Sequence, residues 1–313
     1  MTGYLLRRLM QLVPVVIIVS MVLFILLRLM PGDPTSEILG QEASAEDRAA
    51  LRSDLGLDAP VARQFIDWFT GLFRGDLGRS WLTDESVGTM ISERLAATVE
   101  LGIIALLLAV VLGIPAGVIA AVRKRTKTDA ALNSASVLAL SAPHFYLAAI
   151  LILVFGLWLK ILPPSGYVPF SDSPGANLEH MVLPALTIGL SMVAVTMRQT
   201  RAALLATFNE DYIRTAEATG LSRRRIVTVY ALRNAIVPVV TVLALQIGAL
   251  MSATVVTETV FTVPGMGTLI VNGIFSRDLP VVQGAVLMVV VFVLLVNLFA
   301  DIVYAWLDPR ITY

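Results

Sequence analysis

Long uncharged runs alternate with charged segments along this chain, and the runs predict helices that cross a membrane. About twenty residues of α-helix cover the roughly 30 Å hydrocarbon core of a bilayer. Apart from Asp301 in the last, the predicted spans carry no charge, and they lie at 9–27, 101–122, within 130–159, 181–197, 234–257 and 281–306. The pattern predicts an all-α membrane protein with six transmembrane helices.

The first run, 9–27, lies between Arg7-Arg8 and Arg28. A cleaved signal peptide is the alternative interpretation. The run is long, however, and the sequence after it, Met30-Pro31-Gly32-Asp33-Pro34, contains no small-x-small cleavage site. We therefore expect residues 1–30 to form a retained helix with its N-terminus in the cytoplasm.

Residues 31–95 form the one long polar segment, with twelve acidic residues and six arginines. The spacing of its apolar residues predicts two short amphipathic helices, Ala45–Leu55 and Val61–Phe73. We expect an extracytoplasmic insert between the first two spans. Two interpretations stay open here: an ordered cap that contacts a partner, or a solvated loop with only a packing role.

Basic residues predict the orientation of the spans. The cluster Arg123-Lys124-Arg125-x-Lys127 follows the second span, and Arg198 and Arg201 follow the fourth. By the positive-inside rule these ends are cytoplasmic. Residues 160–179 then lie outside, and both termini, including the tail 308–313, lie in the cytoplasm.

The uncharged stretch 259–276 has the length of a seventh span. Its prolines and glycines, Pro264, Gly265, Gly267 and Gly273, argue against a regular helix facing lipid. We interpret the stretch as partly re-entrant and buried against protein.

Two features inside the spans predict packing rather than a transport path. Gly113-x-x-x-Gly117, around Pro115, offers a small-residue face for close helix contact. His144 follows Pro143 within the third span, and we interpret it as a buried, hydrogen-bonded side chain.

Composition agrees with a membrane protein and excludes several other classes. Apolar residues make up 57% and charged residues 15%, and the mean hydropathy is +0.82. The formal net charge is zero, so we expect no nucleic-acid partner; without cysteine there is no thiol nucleophile or Cys-ligated metal. Because no hydrolase motif and no phosphate-binding glycine loop occur, we expect no catalytic residue, metal, cofactor or ATPase in this chain.

The segment 210–233 is a polar island between apolar runs, with eight charged residues. Burying eight charges in a bilayer would cost about 20 kcal/mol or more, so the segment lies in water. Tyr212, Ala216 and Gly220 recur at helical spacing, which predicts a helix with a nearly bare patch, ended by Gly220 in a left-handed cap. The basic run Arg223-Arg224-Arg225 then predicts the start of a second short helix. A docking surface for another protein is one interpretation, and a basic helix on anionic lipid is the other.

The order of residues favours the docking surface. Asp211-Tyr212-x-x-Thr215-Ala216-x-Ala218-x-Gly220-Leu221-Ser222, followed by Ala231-x-Arg233-Asn234-Ala235-x-x-Pro238, resembles the cytoplasmic coupling loop of ATP-binding-cassette (ABC) importer permeases. The match is to the dipeptide/oligopeptide branch. The general family motif is met only in part, since Arg214, Tyr230 and Arg233 stand where it has Glu, Ile and Pro. Further similar stretches are Gly32-Asp33-Pro34, Gly75-Asp76-Leu77-Gly78-x-Ser80, Ser141–Phe145, Leu162–Gly166 and Glu258–Gly267 with Arg277-Asp278-x-Pro280.

The resemblance implies a type I ABC importer permease fold, with a five-helix core at 96–307, and a permease that moves peptides or a related small solute across a bacterial or archaeal cytoplasmic membrane. It implies a second permease subunit, two cytoplasmic subunits that bind ATP and Mg, and an extracytoplasmic solute-binding protein. The residues it places against the ATPase are Tyr212, Thr215, Ala216, Ala218, Gly220, Leu221, Ser222 and Arg225. The substrate-binding residues stay unknown.

Two other classes compete with this interpretation. An ion-driven secondary transporter needs ionisable residues at mid-membrane, but the deepest here, Glu100, Glu258 and Asp301, lie near span ends. An intramembrane enzyme needs a nucleophile and a base placed together, and no motif joins His144 to a serine.

Overall fold

The computed structural model describes residues 2–29, 32–40 and 42–307. Within them the chain is helical, and the one extended pairing is an isolated antiparallel bridge between Arg79 and Ser86. The helices are α1 Thr2–Leu29, α2 Pro34–Leu39, α3 Ala45–Asp54, α4 Val61–Leu72, α5 Val87–Leu108, α6 Ile114–Val122, α7 Lys127–Ser141, α8 His144–Leu151, α9 Pro174–Thr207, α10 Asp211–Ala218, α11 Arg223–Arg225, α12 Leu232–Phe261, α13 Met266–Phe275 and α14 Leu279–Leu307. Three π-helical segments join or extend them, at Ala109–Gly113, Ile152–Trp158 and Ile226–Ala231.

Among the described residues, five helical segments are long and apolar enough to cross a membrane, and a bent pair makes up to six. The segments are Met10–Leu29, Val87–Val122, Pro174–Thr207, Arg223–Phe261 and Leu279–Phe299, and the pair is Lys127–Ser141 with His144–Trp158. Each predicted span falls on one of these. The predicted all-α membrane architecture is therefore confirmed.

The third span differs from a straight crossing, because α7 and the helix that starts with α8 meet at a bend of 107°. Pro143 explains the break: its ring disfavours helical geometry in the residue before it, and Ala142 is extended at ψ 124°. His144 lies just after the bend, and its Nδ1 is 3.3 Å from the carbonyl oxygen of Thr187 in α9. His144 therefore has a hydrogen-bond partner, as expected, but it is half-buried rather than buried.

The chain forms two compact units, and the second consists of the described residues of Val99–Val263 and Leu295–Tyr313. Helix α9 lies at its centre and packs against α6, α7, α8 and α12. A methyl group on Gly117 would lie 2.5 Å from Thr200 Cβ and 2.6 Å from the Met197 carbonyl oxygen. A methyl group on Gly113 would lie 2.9 Å from Thr196 Cβ. The predicted close contact through the two glycines is confirmed.

The first unit consists of the described residues of Met1–Thr98 and Pro264–Leu294. Helices α3 and α4 match the two predicted amphipathic helices of the insert to within one residue at their C-terminal ends. Aromatic side chains fix α4 against α1: the Phe24 ring lies 5.3 Å from that of Phe65 and 6.0 Å from that of Trp68. Helix α5 begins at Val87, inside the range 31–95 predicted as the insert.

Helix α12 ends at Phe261, where Thr262 takes a left-handed conformation with φ 56°. The ten-residue α13 lies within the stretch 259–276 and is too short to cross a bilayer. Entry of this stretch into the membrane stays a prediction. The predicted tail 308–313 lies outside the described residues.

Candidate functional site

Helix α10 carries the first part of the polar segment 210–233, and a Schellman motif ends it. The Gly220 N–H donates to the Glu217 carbonyl at 3.0 Å, and the Leu221 N–H donates to the Ala216 carbonyl at 3.3 Å. Gly220 has φ +77°, where a residue without Cβ is favoured. The predicted left-handed cap at Gly220 is confirmed.

One face of α10 is buried inside the protein. Ile213 is 1% exposed and Ala216 is 6% exposed. They pack with other buried side chains of the second unit, namely Ala121, Leu204, Ile226, Ala231 and Ala235. The interpretation that Ala216 and Gly220 form one bare docking patch is therefore wrong for Ala216, because its methyl group fills this chain's own core. The residue three positions before Ala216 is isoleucine, and this signal marks the inward face.

The opposite face of α10 and the turn after it are exposed. Six of the eight residues predicted to contact a partner are exposed, on α10, in this turn or in α11: Tyr212, Thr215, Ala218, Gly220, Ser222 and Arg225. Leu221 is half-buried and packs against the same cluster as Ala216. A methyl group on Gly220 would meet no atom within 4 Å, so this corner is open.

Tyr212 is tied to the next long helix rather than standing free. Its hydroxyl accepts a hydrogen bond of 2.7 Å from Asn234 Nδ2 in α12. Because α12 is part of a membrane-crossing segment, this bond joins the exposed helix α10 to that segment. Asn234 belongs to the motif that resembles the coupling loop, but the sequence alone does not indicate this contact.

Charged side chains hold the turn closed. Arg223 Nη1 lies 3.0 Å from Glu217 Oε1, and its guanidinium carbon lies 5.3 Å from the centre of the Phe208 ring. These contacts connect α11 to α10 and to the residue that follows α9. Arg225 is exposed and lies on the helix that continues from this turn.

The predicted second short helix is wrong in length. Residues Arg223–Phe261 form one continuous helical segment of 39 residues, with a π-helical stretch at Ile226–Ala231. Apolar Ile226 and Val227 are buried directly after the basic run, so the helix has no polar break at which to end. The turn at 219–222 is therefore followed directly by a membrane-crossing helix.

The sequence does not indicate one further ion pair near this segment. Asp129, at the start of α7, is buried and forms an ion pair with the half-buried Arg201, in the last turns of α9. Among the described residues no group of three or more His, Asp or Glu is placed to hold a metal ion. The described residues of this segment thus present an exposed surface that is held by hydrogen bonds and an ion pair within the chain.

Comparison with known proteins gives the family. The model of the "binding-protein-dependent transport system inner membrane component" matches residues 113–313, and the model of the N-terminal part of such membrane components matches residues 1–102. A putative peptide transport system permease protein from Brucella abortus is 39% identical over 313 residues, covering all of both chains. The dipeptide transport system permease protein DppB of Escherichia coli K12 is 36% identical over 337 residues, covering 100% of this chain and 99% of the relative.

A solved structure shares the fold. A chain of the inward-facing MetNI methionine ABC transporter matches with a TM-score of 0.56 and 17% identity, covering 70% of this chain and 96% of that chain. The fold is that of a type I ABC importer permease, and the protein is a multi-pass membrane protein. This chain belongs to the family of binding-protein-dependent transport system inner membrane components.

Proposed function

We propose that this chain is the permease subunit of an ATP-driven importer that moves di- or oligopeptides, or a related small solute, across the cytoplasmic membrane. The observation that carries the proposal is similarity along the whole length to relatives named as peptide permeases. The chain itself binds no nucleotide in this proposal. ATP and Mg are bound, and ATP is hydrolysed, in partner subunits.

The proposed partners are a second permease subunit, two cytoplasmic ATPase subunits and an extracytoplasmic binding protein. The exposed face of α10 and the turn 219–222 contact an ATPase. Closure of the ATPase pair on ATP then displaces this surface, and the continuous helix Arg223–Phe261 carries the displacement into the membrane. ATP drives the change only because it binds one conformation better than the other.

Reconstitution tests the proposal. Proteoliposomes with the complete complex are given binding protein and a radiolabelled dipeptide, with ATP inside, outside, or absent. Uptake that requires ATP on the ATPase side, and that persists when ion gradients are collapsed, is expected. Uptake driven by an ion gradient without ATP would contradict the proposal and favour a secondary transporter.

The proposed topology places both termini in the cytoplasm. A phosphatase reporter, active only outside, and a fluorescent reporter, active only inside, are fused in turn after Tyr313. Fluorescence without phosphatase activity is expected. The reverse pattern would contradict the six-span orientation.

A further inference from the structure

A cavity of about 400 Å³ lies in the first unit, where the end of α1 meets α4. Its lining combines the aromatic side chains of Phe24, Trp68 and Trp81 with the polar side chains of Arg28, Arg63, Gln64 and one carboxylate, Asp67. A second cavity of about 310 Å³ shares Arg28 and Gln64 and adds Arg52 and Arg277. No residue of these cavities takes part in the proposed contact with the ATPase.

Two residues that line the larger cavity each carry a buried donor nitrogen without an acceptor among the described residues. They are Arg28 Nε and Trp68 Nε1. A buried N–H group without a partner is unfavourable, and a charged one especially so. A ligand that supplies acceptor oxygens beside this cavity would satisfy both donors.

The arginine is held in position by other contacts. Its Nη2 donates to Gln64 Oε1, and Gln64 Nε2 donates in turn to the carbonyl oxygens of Ala59 and Leu57, at 2.7 and 3.2 Å. The guanidinium also lies over the Phe24 ring, with its carbon 4.7 Å from the ring centre. Phe24 stacks on Trp68 as well, with ring centres 6.0 Å apart. One ring therefore fixes both donor side chains beside the same cavity.

The charges around the cavities favour an anion at Arg28. Among the described residues Arg52 pairs with Asp33 at 3.0 Å and Asp58 at 3.3 Å. Arg277 lies 4.0 Å from Glu37, and Arg63 lies 3.8 Å from Asp67. Arg28 has a neutral amide as its acceptor. It is therefore the guanidinium here whose charge no described carboxylate balances at ion-pair distance.

The location indicates where the anion comes from. Arg28 directly follows the apolar run 9–27, so its charge stands at the edge of the hydrocarbon core. Tryptophans such as Trp68 are enriched at this depth. Helix α4 also leaves apolar side chains exposed, with Val61 at 54% and Ile66 at 56%, and Phe73 directly after it is 79% exposed. This is typical of a helix that lies in the membrane surface.

We propose that the cavity at Arg28 and Trp68 binds the phosphate of an anionic phospholipid in the leaflet on the insert's side of the membrane. Arg28 Nε and Trp68 Nε1 donate to phosphate oxygens, and the acyl chains run beside α1 and α4. The bound lipid anchors the insert to the first span. The proposal rests on the chain crossing a membrane, but not on which solute is transported.

Lipid retention tests this site. The assembled complex is exchanged into nanodiscs of phosphatidylcholine doped with phosphatidylglycerol, released into mild detergent, and examined by native mass spectrometry. The wild type is expected to retain phosphatidylglycerol. Arg28→Gln and Trp68→Phe, which keeps the ring and removes the N–H, are each expected to retain about tenfold less, as for loss of one hydrogen bond to a charged group. Arg74→Gln removes an exposed charge of the same segment outside both cavities, and is expected to behave as wild type.

Two results would overturn the proposal. One is wild-type retention of phosphatidylglycerol by both Trp68→Phe and Arg28→Gln. The other is full displacement of the lipid by soluble glycerol phosphate at equal phosphate concentration, which assigns the site to a soluble anion. If Arg28→Gln fails to assemble, Trp68→Phe alone decides the matter. ATP-dependent uptake, measured separately, would keep the proposed function standing in either case.

Discussion

Arg201 holds Asp129 through two parallel hydrogen bonds, Nε to Oδ1 at 2.7 Å and Nη2 to Oδ2 at 2.9 Å. The Asp129 side chain is 8% exposed and that of Arg201 is 25% exposed. Asn133 Nδ2 donates to the same carboxylate at 2.7 Å, and the Arg125 N–H donates at 3.0 Å. The pair fixes the loop before α7 to the end of α9, directly ahead of the polar segment 210–233.

Breaking this pair is expected to destabilise the protein. Arg201→Ala leaves a nearly buried carboxylate without its cation, and should lower the free energy of unfolding by roughly 2 kcal/mol. Arg63→Ala removes the partner of Asp67 in an exposed ion pair, in which the Arg63 side chain is 76% exposed and that of Asp67 is 70% exposed. This variant should change the free energy of unfolding by less than about 1 kcal/mol. Thermal unfolding of the purified variants in detergent measures both changes in stability. Equal shifts of the unfolding temperature in the two variants would contradict a stabilising role of the Asp129–Arg201 pair.

The contact of α6 with α9 leaves no room for a methyl group at Gly117. Gly117→Ala is expected to destabilise by about 1–3 kcal/mol, since the new Cβ meets a backbone oxygen that has little freedom to move. Gly175→Ala is the matched control, because its Cβ would meet nothing within 4 Å and alanine favours the helix. The same unfolding assay separates them. A Gly117→Ala variant as stable as Gly175→Ala would show that the helices are further apart.

Gly220 allows the charge of the docking surface to be tested apart from backbone strain. Asn and Asp both tolerate a left-handed conformation better than most residues, and a side chain here points into open space. Gly220→Asn is therefore expected to keep the ATPase in pull-down of the complex, while Gly220→Asp places an unpaired carboxylate in the contact and loses it. If both variants keep the ATPase and wild-type uptake, the turn is not part of the contact.

Asp278 joins two stretches of the first unit that are far apart in sequence. Ser80 Oγ donates to Asp278 Oδ2, and the Trp81 N–H donates to Oδ1 at 3.2 Å. Ser80→Ala removes one donor from a buried carboxylate and should destabilise by about 1–3 kcal/mol, whereas the exposed Ser53→Ala should have little effect. Limited proteolysis of the insert measures this loss of stability. Unchanged resistance in Ser80→Ala would contradict a structural role.

Hydropathy and turn chemistry were enough to predict the membrane spans, the two helices of the insert and the end of α10. The spans follow from the length of the uncharged runs. Gly220 indicates the end of α10, because few other residues adopt a positive φ. Helical spacing alone did not tell which side of α10 faces inward. Small side chains suit both a core and a docking surface, and the structure shows that Ala216 is buried beside Ile213.

Contacts between distant parts of the chain could not be predicted from one sequence. In the sequence, Arg201 indicates only a positive charge at the end of a span. Its pairing with Asp129 depends on how α7 packs against α9. Ser80 and Asp278 each belong to a recognised motif, yet nothing local indicates that the motifs meet. The bend at Pro143 was visible as a proline, but its angle is set by packing.

Crosslinking from Ser222 tests the central claim most directly, that the polar segment 210–233 contacts the ATPase. The chain contains no cysteine, so Ser222→Cys provides its single thiol on the exposed turn after α10. A photoreactive maleimide is attached there, and at Ser53→Cys in the insert as control, and crosslinked peptides are identified by mass spectrometry in the assembled complex. The account predicts ATPase peptides from Ser222→Cys and none from Ser53→Cys. A labelled Ser222→Cys that crosslinks only to lipid, while the complex still imports solute, would contradict it.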